Sequence, residues 1–155
     1  MEKGYTLSEM LIVMGIIVIL ALVSMTSFVS RRNQSQLTST ASTMAGLLRE
    51  AQSRSVAQES STSWGVHFEN STTTSPFFAL FASPYASSSQ VGHYSLPAWV
   101  GYVSSSIRAG SYAEVRFAQI SGAASGSSSI AIYLLQGNPL ISSTISISSV
   151  GSISY

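Results

Sequence analysis

Gly4-Tyr5-Thr6-Leu7-Ser8-Glu9 leads straight into Met10-Leu11-Ile12-Val13-Met14-Gly15-Ile16-Ile17-Val18-Ile19-Leu20-Ala21-Leu22-Val23, an apolar run in which only Gly15 lacks a side chain. After Glu9 no charged residue occurs until Arg31. As a helix, residues 10–30 would be roughly 30 Å long, the thickness of a bilayer's hydrocarbon core, so the stretch predicts a membrane-spanning helix. A cleaved secretory signal has a basic start, a shorter apolar run and a small-residue cleavage site after it. Here the apolar run passes directly into further helical sequence, and the segment reads as retained. Glu9 is the candidate functional residue within it. An ionised carboxylate at a bilayer edge costs several kcal/mol unless it is paired, so either a partner claims it or it is hydrated at headgroup level.

Past Arg31 and Arg32 the apolar pattern narrows to a stripe. Leu37, Ala41, Met44, Leu48 and Ala51 recur at steps of four and three, as on one face of an amphipathic helix, with Arg49, Gln52 and Arg54 off that face. The simplest use of such a stripe is to cover a sheet. No proline precedes Pro76, so a bend could arise only at Gly15, at Gly46 or in the Ser/Thr-rich stretch 24–27. The helix is expected to stop near 58–61, where Ser and Thr side chains compete for backbone hydrogen bonds.

From Ser63 onward the period shortens to two. Trp64, Val66 and Phe68 alternate with Gly65, His67 and Glu69, which predicts a half-buried strand with His67 and Glu69 on its polar face. Residues 77–82 are apolar on both faces and predict a covered strand. Further strands are expected over 94–103, 113–120 and 130–135, and 141–155 reads as a terminal hairpin turning near Val150-Gly151. The Ser-rich segments 71–75, 87–89 and 121–129 are short enough to be connections. One long helix followed by six or seven short strands predicts an α+β subunit, the helix packed on an antiparallel β-sheet or small β-sandwich.

Composition removes several function classes. Charged residues make up 8% of the 155 residues and the net charge is +1, too little for a nucleic-acid or acidic-membrane surface. Arg108 and Arg116, with Glu114 between them, form no basic stripe. Asp is absent, so a Ser-His-Asp triad is impossible, and a Ser-His-Glu version would need His67 or His93. With only Glu69 and Glu114 as head carboxylates, a calcium site is not expected, and two His without a carboxylate cluster argue against zinc. Cys is absent, which excludes disulfides and thiol catalysis. Asn33-Gln34-Ser35 and Asn70-Ser71-Thr72 match the glycosylation triplet, a pattern common by chance in a Ser-rich chain. No cofactor is implied.

The N-terminal residues resemble the type III signal of type IV prepilins and type II secretion pseudopilins: a short leader ending in Gly, an aromatic, Thr-Leu, any residue, Glu, then about twenty apolar residues. The resemblance implies that prepilin peptidase, a membrane enzyme acting on the cytoplasmic face, cuts between Gly4 and Tyr5 and N-methylates Tyr5. It also implies that Glu9 pairs with the charged N-terminus of a neighbouring subunit and sets axial register during assembly. The family usually begins its mature chain with Phe or Met where Tyr5 stands here, and the leader sets Lys3 beside Glu2. Loss of residues 1–4 removes one cation and one anion and leaves the net charge at +1. Cleavage requires the N-terminus inside, whereas Arg31 and Arg32, counted alone, would place it outside.

The head is most similar to H-type minor pseudopilins and FimT/FimU-like minor pilins (the GspH/FimT-like group). The matching pieces are the sequence from Leu48 to Arg54, Trp64-Gly65-Val66-His67-Phe68, Val115-Arg116-Phe117 with Ser121-Gly122, and Ile145-Ser146-Ile147 through Gly151. The expected organisation is a leader at 1–4, a transmembrane and assembly helix at 5–30, an amphipathic helix at 31–61 and a β head at 62–155. The resemblance implies a non-enzymatic minor pilin or pseudopilin that crosses the bacterial inner membrane once, with its head on the periplasmic or extracellular side, before entering a filament. Its partners would be prepilin peptidase, other pilin or pseudopilin subunits, the inner-membrane assembly platform and membrane lipid. The competing readings are a membrane-anchored binding or adhesion protein whose span never leaves the bilayer, and a DNA-uptake minor pilin that contacts DNA.

Overall fold

Helical sequence persists far beyond the apolar run, and α1 extends over Leu7–Val56. The computed structural model describes residues 4–136 and 141–155, with 22–30 as backbone alone. The chain divides into two compact units, Met1–Asn33 and Gln34–Tyr155.

In the first unit α1 is apolar on every face. The large apolar side chains from Leu7 to Leu20 all stand more than half exposed, the pattern of a helix built to be covered by lipid or by other helices. Among the described residues, no helix is long and apolar enough to cross a membrane. The stretch expected to span includes 22–30, whose side chains lie outside the described residues.

In the second unit the amphipathic stripe behaves as its spacing requires. Leu37, Ala41, Met44, Leu48 and Ala51 are all buried, and Ala45 and Leu47 widen the buried face. Each fully covered Leu or Met contributes about 1.5–3 kcal/mol. The helix stops at Val56, and Gln58 follows in the left-handed region at φ 54°, a common way of ending a helix. The Ser55 hydroxyl ties this end to the first strand. It accepts from the Trp64 N–H at 2.7 Å and donates to the Trp64 carbonyl at 3.3 Å.

Among the described residues eight strands follow, rather than six or seven, in two four-stranded antiparallel sheets. One has the order β3-β2-β1-β5, from β1 (Trp64–Asn70), β2 (Phe77–Ala82), β3 (Gln90–Ser95) and β5 (Ser111–Phe117). The other has the order β4-β6-β7-β8, from β4 (Val100–Tyr102), β6 (Ser128–Leu134), β7 (Ser142–Ile147) and β8 (Ile153–Ser154). Both sheets and the helix share one core, which includes Phe68, Phe117, Ile132 and Ile145. The terminal hairpin is present as β7 and β8.

Two expected strands are corrected. The segment 94–103 is two strands in different sheets, because Pro97 lacks an N–H and the chain turns there, with the Val100 N–H donating to the Pro97 carbonyl. The segment expected at 113–120 ends at Phe117; Ile120 is exposed, with a left-handed φ of 67°. The polar face of β1 is also covered, and His67 is only 2% exposed. Tyr85 stacks on its ring at 3.7 Å and Tyr112 at 5.2 Å between centroids.

Candidate functional site

Gly4 and Tyr5 precede the first turn of α1 and are exposed, so the bond between them is open to solvent. Thr6 begins the helix. Its hydroxyl accepts from the Glu9 N–H at 3.3 Å, while Glu9 Oε2 accepts from the Thr6 N–H at 2.9 Å and from the Thr6 hydroxyl at 2.8 Å. This is a capping box, in which the first and fourth residues of a helix start satisfy each other's free N–H groups. The Thr-x-x-Glu spacing before an apolar run was the available signal for it, and the sequence reading gave Glu9 no such intrachain role. Glu9 Oε1 makes no hydrogen bond within the described residues. Tyr5 and Glu9 border one shallow apolar hollow with Met10, Ile12 and Val13. The structure thus brings together the aromatic residue that follows Gly4 and the single acid of the apolar stretch.

Residues 1–25 match the family model described as the prokaryotic N-terminal methylation motif. The chain carries a prepilin-type N-terminus. The prepilin-type motif supports a place in the type IV pilin and pseudopilin family, and indicates a substrate of prepilin peptidase and a structural subunit rather than an enzyme. No curated protein and no solved structure matches the chain.

Beyond the prepilin-type motif, the candidate polar residues of the head are held by one another. His67 Nδ1 lies 3.2 Å from Glu114 and Nε2 lies 3.2 Å from Glu69. Arg116 Nε donates to Glu114 at 3.1 Å. Burial alone would raise the Glu114 pKa, but hydrogen bonds and charge from Arg116 and His67 outweigh it and hold the carboxyl below its ordinary range. His93 packs against Phe77, with ring centroids 4.4 Å apart. Among the described residues, no serine hydroxyl bonds to either histidine, and no group of three or more His, Cys, Asp or Glu side chains could hold a metal ion. Arg116 is committed to Glu114. The Asn70 amide donates to the Ile107 carbonyl at 2.9 Å.

Gln52 lies off the apolar stripe, and nothing in its local sequence marks it for a role. In the structure its amide nitrogen donates to the Gly122 carbonyl at 2.9 Å and to the Gly151 carbonyl at 3.0 Å. It fastens the helix to two turns far along the chain.

Proposed function

We propose that the chain is a non-enzymatic subunit of a type IV pilus or a type II secretion pseudopilus, of the minor, GspH/FimT-like kind. It is cut between Gly4 and Tyr5, N-methylated on Tyr5, and assembled through α1. The observation that carries this reading is the ordered set Gly4, Tyr5, Thr6 and Glu9 at the head of an apolar helix whose large side chains from Leu7 to Leu20 stand exposed. In the membrane that helix, continued through 22–30, spans the bilayer once; in a filament, the same surface packs on neighbouring helices.

The capping box and the assembly role of Glu9 are compatible. Oε2 closes the helix start, and Oε1 is left to meet the positive N-terminus of the next subunit. An unpaired carboxylate in an apolar surround is costly, so subunits that bring an amine to Glu9 are favoured over those that do not. The deciding experiment is the mass of the N-terminal peptide from protein recovered from its native membrane. A start at N-methylated Tyr5 is expected. An intact Met1 would overturn the reading and favour an anchored binding protein.

A further inference from the structure

The sheet formed by β4, β6, β7 and β8 turns Val100, Ile132 and Ile145 into the core, and its other face has a chemistry of its own. Gly101 lies opposite Tyr133, Tyr133 opposite Ser142, Ala131 opposite Thr144 and Ser129 opposite Ser146. Side chains alternate along a strand, so these residues share the outer face. Neither 70–107 nor 117–155 contains Asp, Glu, Lys or Arg. The face is therefore a ladder of small hydroxyl residues without a charged side chain.

Aromatic rings stand at one end of it. Tyr133 leans over Gly101: a Cβ there would meet Tyr133 Cε1 at 3.4 Å and Leu135 Cδ2 at 3.2 Å. The glycine lets the tyrosine settle half-buried against the sheet, with the rest of its ring toward solvent. Trp99, immediately before β4, is 44% exposed, and its carbonyl accepts from the Leu135 N–H at 2.9 Å, which holds it beside the same end of β6. A hollow of about 480 Å³ adjoins Tyr133, bounded by Val103, Ser104, Ser105 and Ser142, within the usual range for small-ligand sites. The hydroxyls of Ser104, Ser105, Tyr133 and Ser142 make no hydrogen bond within the described residues. The next hydroxyl along, on Ser106, is taken up by the Val103 and Ala131 carbonyls.

We propose that this face binds an uncharged glycan chain, a role beyond filament assembly. The strands of this face carry no cation to attract a phosphate, nucleic acid or acidic glycan. Sugar hydroxyls both donate and accept, as do the free Ser and Tyr hydroxyls. The C–H face of a pyranose ring stacks on an exposed aromatic ring, which Tyr133 and Trp99 supply. A second copy of the chain would find apolar area only around Trp99, Tyr133 and Leu135, and the hydroxyl ladder beyond them offers little to bury.

The test uses the full-length chain in detergent micelles, titrated with cellohexaose, maltohexaose and chitohexaose. Binding is followed by tryptophan fluorescence and by saturation-transfer NMR. Saturable binding of at least one of these sugars is expected. Tyr133→Ala and Trp99→Ala should each weaken it about tenfold or more, as loss of an aromatic anchor does, and Tyr112→Ala on the other sheet should leave it unchanged. Ser142→Glu changes an exposed position without touching the core and should abolish binding, so the test survives if Tyr133→Ala fails to fold. No saturable binding of any of the three sugars, binding indifferent to Ser142→Glu, or self-association through this face in place of sugar binding would each overturn the proposal.

Discussion

Gln52 is the residue on which the seating of the helix turns. Its two acceptors lie on Gly122 and Gly151, which have φ of 64° and 89°, a conformation that any side chain strains. A Cβ on Gly151 would also collide with Gln52 Nε2 and the Gly122 carbonyl. Gly151→Ala is expected to cost about 2 kcal/mol or more, and Gln52→Ala about 1–3 kcal/mol through its orphaned carbonyls. Urea unfolding of the full chain in detergent checks both, and the double variant should cost less than the sum because the two changes break one contact. None of this was legible locally, since Gln52 reads as an ordinary surface glutamine and its partners lie 70 and 99 residues away. Thr6 and Glu9 are the opposite case. Their spacing of three is the whole signal, and the partner of each is in view in the sequence.

Elements were legible where one period persisted. The stripe from Leu37 to Ala51 located the buried helix face because a helix of that length has room to repeat its pattern. Short strands carry less information. The apolar letters on either side of Pro97 read as one strand, whereas the proline divides them between two sheets. On β1 the alternation correctly separated Phe68 from His67 but could not reveal that rings from Tyr85 and Tyr112, brought from other segments, roof the second face. That roof has a measurable counterpart in Glu114, which joins β5 to β1 through His67. Its carboxyl titrates lower in the folded chain than in the unfolded one. The stability it brings is therefore complete above the unfolded carboxyl's pKa and is lost as pH falls through the folded one. Melting of wild type and Glu114→Gln across a pH series should show the wild type ahead near neutrality and the two converging in acid. A gap that does not change with pH would remove the charge from this account.

At the scale of the molecule, the fold class followed from ordering alone, one long helix and then strands, while the division into two sheets depended on long-range pairing that no local pattern specifies. The proposed filament role rests on residues 4–9, and Glu9 can be divided experimentally into its two jobs. Glu9→Gln keeps a capping acceptor and removes the charge, whereas Glu9→Ala removes both. Both variants are expected to insert in the membrane and to be missing from filaments, as scored by fractionation of membrane and sheared filament. Normal incorporation of Glu9→Gln would reduce the residue to its cap.

On the proposed membrane topology, the clamp at Gln52 also sets an order of events as the chain crosses the bilayer. The amphipathic half of the helix precedes the head along the chain, yet its seat includes Ile145 and Ile147, its clamp needs Gly151, and Arg49 reaches the Ile153 carbonyl at 3.4 Å across 104 residues of chain. Until those residues have crossed, the stripe around Met44 and Leu48 has only part of its cover. A topology with contacts this distant closes slowly, and for that interval the half-emerged subunit exposes the surface a chaperone or an early aggregate would seize.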